Sequence, residues 1–183
     1  MGSQSHHKAP VNLQSISEDT KSEVGITHKA GSYVIPATSL SIIWGRDPRY
    51  WRIPSEGSDS KVELLQVCWL EVNASTECQK VKAGKYKMSF VVSLKADAFG
   101  WGGSPVYMMA RVGKQPFRWK SADLGSRDPD PSKIFRIPDE LVFEVTEKQR
   151  EENEKLTFGL YEIWRGRWKG GLVIHEIILS PEP

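Results

Sequence analysis

From Tyr86 to Lys95 the chain reads Tyr-Lys-Met-Ser-Phe-Val-Val-Ser-Leu-Lys, a period-two alternation over ten residues. Tyr86, Met88, Phe90, Val92 and Leu94 fall on one face, with Lys87, Ser89, Ser93 and Lys95 on the other. A helix would scatter these residues around its circumference, whereas a strand gathers the apolar ones against a core. Shorter apolar runs at Leu40–Trp44, Val67–Asn73, Val106–Val112, Leu141–Val145, Leu156–Trp164 and Leu172–Leu179 are further strand candidates, with Phe117–Lys120 a weaker one. Gly84, Gly100 to Gly103, Gly113 and Gly170-Gly171 punctuate them as turns. Many short strands with almost no helical stretch predict an all-β fold, an antiparallel β-sandwich of jelly-roll type. Val62–Val67 reads either as a short helix or as the lead into a strand. The charged stretch Thr146–Lys155 reads as a solvated loop or a short helical turn.

Residues 1–30 are rich in Ser, Lys, Glu and His and lack apolar periodicity, so they are expected to form a flexible N-terminal arm, disordered or extended. Residues 31–183 are then one domain, large enough to bury a core without disulfides or a structural metal. Lys and Arg number 25 against 23 Asp and Glu, a formal charge of +2 that creates no strong basic field. No run approaches the length of a membrane-spanning helix. The opening residues Met1 to Lys8 have no apolar core of a secretory signal, so the expected setting is the cytoplasm, extending to the nucleus.

Cys68 and Cys78 fit no zinc-ligand spacing, and no metal or cofactor is expected. Cys68 and Trp69, inside the apolar run Val67–Leu70, read as core residues. Catalytic signatures are lacking. No Gly-rich phosphate loop opens a helix and no Gly-x-Ser-x-Gly elbow occurs. His175 lies in a strand pattern and reads as a hydrogen-bonded structural histidine. Glycoside hydrolysis needs two converging carboxyl groups, and the spacing of Glu71, Glu144, Glu162 and Glu176 shows no such pair. The chain is expected not to be an enzyme.

Two aromatic and polar clusters carry more information. In Ser41 to Arg52, a strand ending at Trp44 runs through Gly45-Arg46-Asp47-Pro48-Arg49 and emerges at Tyr50-Trp51. In Leu160 to Gly171, a strand ending near Glu162 and Trp164 runs through Arg165-Gly166-Arg167 to Trp168-Lys169. Seven tryptophans are many for 183 residues. Flat rings beside charge in loops suit a sugar, whose C–H face lies on a ring while its hydroxyls seek directional partners. Trp51 and Trp168, flanked by charge and turn residues, are expected to be exposed. Trp44 is open between core and site.

At these residues the sequence resembles the plant phloem protein 2-like lectins, related to the tobacco agglutinin Nictaba. The resemblance rests on Ser39 through Trp51, Val67 through Val72 and Gly159 through Leu172, with a further likeness at Asp97 to Trp101. It covers the chain from about Tyr33 to the C-terminus. It implies a jelly-roll-like sandwich in cytosol and nucleus that binds N-acetylglucosamine oligomers, such as chitin fragments, or N-glycan cores. Matched by position, the family's binding tryptophans fall on Trp44 and Trp51, and its binding carboxylate falls on Glu162. A second carboxylate seven residues earlier falls on Lys155, with Glu154 adjacent. In the binding scheme this suggests, Trp51 stacks on a sugar ring and Trp44 lines the pocket or buttresses it. Glu162 accepts hydroxyl hydrogen bonds, while Tyr50, Trp168 and Lys169 border the groove. The expected partners are oligosaccharides or glycoproteins, with longer oligomers or a homodimer presenting two sites gaining over single sugars.

Three other readings stay open on the sequence. The basic and aromatic run Arg165 to Lys169 also suits stacked bases, hence an RNA or ribonucleoprotein partner. A glycan-processing enzyme using Glu162 is a second, and a degenerate lectin that binds only proteins is a third.

Overall fold

The computed structural model describes residues 25–55 and 61–183. The expected arm lies mostly outside the described residues. At its end, Thr27–Lys29 form β1, paired with the following strand β2 (Ser32–Pro36).

Among the described residues, thirteen strands build two antiparallel sheets. After β2 come β3 (Ser41–Ile42), β4 (Trp51–Arg52), β5 (Val62–Leu64), β6 (Leu70–Glu77) and β7 (Gly84–Phe99). Then follow β8 (Val106–Val112), β9 (Arg118–Ala122), β10 (Phe135–Ile137), β11 (Val142–Val145), β12 (Lys155–Glu162) and β13 (Gly170–Glu182). The alternating segment lies within β7, the longest strand, which pairs with β13, β10 and β11. Its apolar set, Tyr86, Met88, Phe90, Val92 and Leu94, is buried in the core as the alternation requires.

One sheet has eight strands, with β1, β2, β13, β5 and β4 in sequence across it and β7 on the other side of β13. The second has five, in the order β3-β6-β12-β8-β9. Their inner faces share one apolar core, bridged by contacts such as Phe143 of β11 against Phe158 of β12, ring centroids 5.6 Å apart. This all-β sandwich is the architecture expected from the sequence.

Several local expectations resolve differently. Val62–Leu64 is a strand, its Glu63 and Val62 pairing with Val173 and Ile174 of β13. Thr146–Lys155 divides: Glu147–Glu151 form a short helix α1, and Lys155 opens β12. The helix starts at Thr146, whose hydroxyl accepts the Gln149 N–H while the Gln149 side chain accepts the Thr146 N–H. Cys68 and Trp69 are half-buried and not core. Leu70 and Val72 take the inward positions of β6, so the alternation turns Trp69 and Glu71 to the outward face. His175 sits at a register shift of β13, with Nε2 2.9 Å from Ser93 Oγ.

Candidate functional site

The first cluster is a tightly bonded loop between β3 and β4. The Ile43 N–H donates to the Glu71 carbonyl, which ties the loop's start to β6. The Gly45 N–H returns to the Ile42 carbonyl, and the Tyr50 and Trp51 N–H groups both donate to the Asp47 carbonyl. The Asp47 carboxylate accepts the Arg49 N–H and is gripped by the Arg49 guanidinium at 2.7 Å. Those hydrogen bonds hold Asp47 below the usual carboxylate range. Trp44 stands in the left-handed region at φ 63°, which costs a non-glycine residue ~1–2 kcal/mol and swings its ring outward. Its side chain is 45% exposed.

Trp51 behaves in the opposite way. It begins β4, its register partner is Leu64, and only 2% of it is exposed. The expectation of an exposed Trp51 that stacks on a sugar is therefore corrected. Pairing with β5 fixes the parity of β4 and turns the indole into the core. Its Nε1 has no hydrogen-bond partner among the described residues.

The second cluster leaves β12 at Glu162, bends through Gly166 at φ 63°, and returns at Lys169 into β13. Trp168 is 50% exposed, as expected. Glu162 and Lys169 are not at the groove border. They are 1% and 0% exposed and pair with each other, Lys169 Nζ to Glu162 Oε2, at 2.6 Å. The other carboxylate oxygen, Oε1, accepts the N–H groups of Trp164 (3.3 Å) and Arg165 (3.2 Å). The physical reason is parity again: Leu156, Phe158, Leu160 and Glu162 all face inward along β12, so the carboxyl points under the loop and meets the lysine there.

A short strut joins the two loops. The Leu65 and Gln66 N–H groups donate to the Tyr50 carbonyl, and Val67 exchanges two 2.9 Å backbone hydrogen bonds with Lys169. A Cβ on Gly170 would overlap the Leu65 carbonyl oxygen, so glycine permits the close approach of β13 to the strut. Trp101, buried, donates its indole N–H to the Gly170 carbonyl from below.

The result is a row of three rings at one rim of the sandwich. Trp44 and Tyr50 have centroids 5.4 Å apart, and Tyr50 and Trp168 stack at 6.4 Å with planes 28° apart. The Arg49 guanidinium lies 5.2 Å from the Tyr50 ring centre. Of the six sequence-derived site residues, the structure brings Trp44, Tyr50 and Trp168 together at the surface. It places Trp51, Glu162 and Lys169 beneath them. Phe99, 45% exposed, pairs with Gly170 and stands near the base of the second loop; it ends β7 beyond the Tyr86–Lys95 alternation, where the sequence pattern assigns it no face.

Lys155 stands at the other end of β12 from Glu162, roughly 23 Å away along a strand rising 3.3 Å per residue. The two positions therefore do not share one pocket at the ring row. Glu71 lies on the outward face of the five-stranded sheet, across from Tyr161, and burial pushes its carboxyl up to about 7. Among the described residues no group of three or more His, Cys, Asp or Glu is arranged to hold a metal ion.

A family model described as Phloem protein 2 matches residues 30–181. Protein PHLOEM PROTEIN 2-LIKE A9 of Arabidopsis thaliana is 40% identical over 186 aligned residues, covering 96% of each chain. The F-box protein At2g02240 of the same plant is 29% identical, covering 90% of this chain and 56% of that protein. A protein of Luffa acutangula named Lectin is 33% identical over 78 residues, 40% of this chain and 37% of its own.

Proposed function

The chain belongs to the phloem protein 2 family, and on that premise we propose that it is a carbohydrate-binding lectin whose ring row takes N-acetylglucosamine oligomers or N-glycan cores. The observation that carries the reading is the exposure of Trp44 and Trp168 on either side of Tyr50, from loops that a hydrogen-bonded strut holds in register. The exposed rings of Trp44 and Trp168 offer apolar faces to pyranoses, with Tyr50 packed between them. Hydroxyl and acetamido groups would find donors in Arg49 and the Tyr50 hydroxyl at the rim.

A shallow rim gains little from one sugar, because desolvated hydroxyls offset much of the stacking. Affinity should therefore grow with oligomer length as more rings are engaged. The bound sugar leaves unchanged on this reading, since the carboxylates of the two loops are already engaged, Asp47 by Arg49 and Glu162 by Lys169 and two backbone N–H groups. The Luffa protein's name is a further support for sugar recognition. The cytoplasm and nucleus are the proposed setting.

A glycan array probed with the purified protein tests the reading. Signals on chitin oligomers and N-glycan cores, rising with chain length and absent in a Trp44→Ala/Trp168→Ala variant, are expected. Silence of the unmodified protein across the array would contradict it.

A further inference from the structure

We infer that the buried Glu162–Lys169 pair is a positioning device for Trp168, so that both residues set ligand affinity without touching the ligand. This deepens the proposal above and rests on its reading of the ring row as the binding surface.

One carboxylate spans the whole loop. Glu162 Oε1 holds the N–H groups of Trp164 and Arg165 at the loop's start, and Oε2 holds Lys169 Nζ at its end. Trp168 is the residue directly before that lysine. An exposed indole on a glycine-containing loop would otherwise lose much of any stacking gain to the cost of ordering it. The lysine is fixed a second time by its two-way backbone pairing with Val67, and its Nζ lies 3.4 Å from the Cys68 carbonyl.

The carboxylate, 1% exposed, is also closed off from solvent, with Oε1 hydrogen-bonded and Oε2 ion-paired to Lys169. A sugar hydroxyl could reach it only by displacing the lysine, which would leave an uncompensated buried charge. Buried ion pairs contribute little net stability relative to well-packed neutral side chains, so fixing one loop geometry is the better account of this pair.

The test compares Glu162→Gln, Lys169→Met and the double variant, titrated calorimetrically with a chitin tetramer. Each single variant strands one buried partner and is expected to weaken binding about tenfold, while the double variant recovers to within about threefold of the unmodified protein, the signature of a coupled pair. A double variant no better than Glu162→Gln would show that the Glu162 charge meets the sugar itself, and unaltered binding by Lys169→Met would show that the pair does not set the Trp168 loop; either result would overturn the inference. If the single variants do not fold, the double variant decides alone. A double variant that also fails to fold overturns it, because the pair would then hold the domain and not one loop.

Amide exchange separates this inference from the functional proposal. Should the unmodified protein bind no glycan, that proposal fails, yet the clamp still predicts faster exchange at Trp164 and Arg165 in Lys169→Met, restored in the double variant. Unchanged exchange there would overturn the clamp.

Discussion

The rings of Tyr50 and Trp168 stack 6.4 Å apart although they come from loops at opposite ends of the domain's sequence. That contact exists because Leu65, Gln66 and Val67 bind the Tyr50 carbonyl on one side and the Lys169 backbone on the other. The binding surface is thus a product of sheet register, and the consequences can be separated into affinity and stability.

Trp44 and Trp168 should govern affinity, and Trp51 stability. Trp44→Ala and Trp168→Ala are expected to leave the urea midpoint nearly unchanged while abolishing retention on a chitin column. Trp51→Ala empties a core position and should cost about 3–5 kcal/mol in urea unfolding. Trp51→Phe should be much milder, since the lost indole N–H has no partner among the described residues.

Gly170→Ala should damage the strut directly. The new methyl group overlaps the Leu65 carbonyl oxygen, so β13 must shift away from the segment that joins the two loops. A loss of about 1–3 kcal/mol is expected for such overpacking, together with weaker chitin binding by the folded fraction. Equal stability and binding in the variant would show that the two backbones are not held this closely.

Glu71 makes stability depend on pH. Its folded-state pKa is raised by burial from 4.5 to about 7, so the folded state holds the proton more tightly than the unfolded chain. The resulting penalty is absent below about pH 4.5, grows between there and about pH 7, and is full above. Relative to the unmodified protein, Glu71→Gln should gain stability as pH rises through that window. Urea midpoints of both proteins at pH 4, 6 and 8 measure the difference, which should increase in that order.

Thr146→Ala removes the N-cap hydroxyl of α1, which accepts the Gln149 N–H, and leaves only the backbone half of the capping box, in which the residue-146 N–H donates to the Gln149 side chain. The helix is exposed and leads into the Lys155 end of β12, roughly 23 Å along that strand from Glu162, so thermal unfolding should report a loss of about 1 kcal/mol with chitin affinity unaltered.

The sandwich was largely legible in the sequence because Tyr86–Lys95 alternates and the other longer strands stand out as short apolar runs between turn residues. The short pairings were not. β4 has two residues, and nothing in Tyr50-Trp51-Arg52 says which ring faces in; the Trp51 register with Leu64 decides it. The same holds for Glu162 and Lys169. Their charge and their turn-rich neighbourhood suggested an exposed rim, and only the inward parity of β12 and the close return of Lys169 show that they satisfy each other in the interior. Trp44 was open between core and site for a related reason, since its outward swing depends on a left-handed backbone that composition does not encode. Local pattern thus identified the two loops, and tertiary pairing assigned the roles within them.

The most direct test follows the indole N–H resonances of the seven tryptophans while the protein is titrated with a chitin tetramer. Saturable shifts of the Trp44 and Trp168 resonances, with Trp51 and Trp101 unmoved, are the expected result. Shifts confined to Trp51, or to the tryptophans of the five-stranded sheet's outward face, would place the sugar elsewhere and contradict the account.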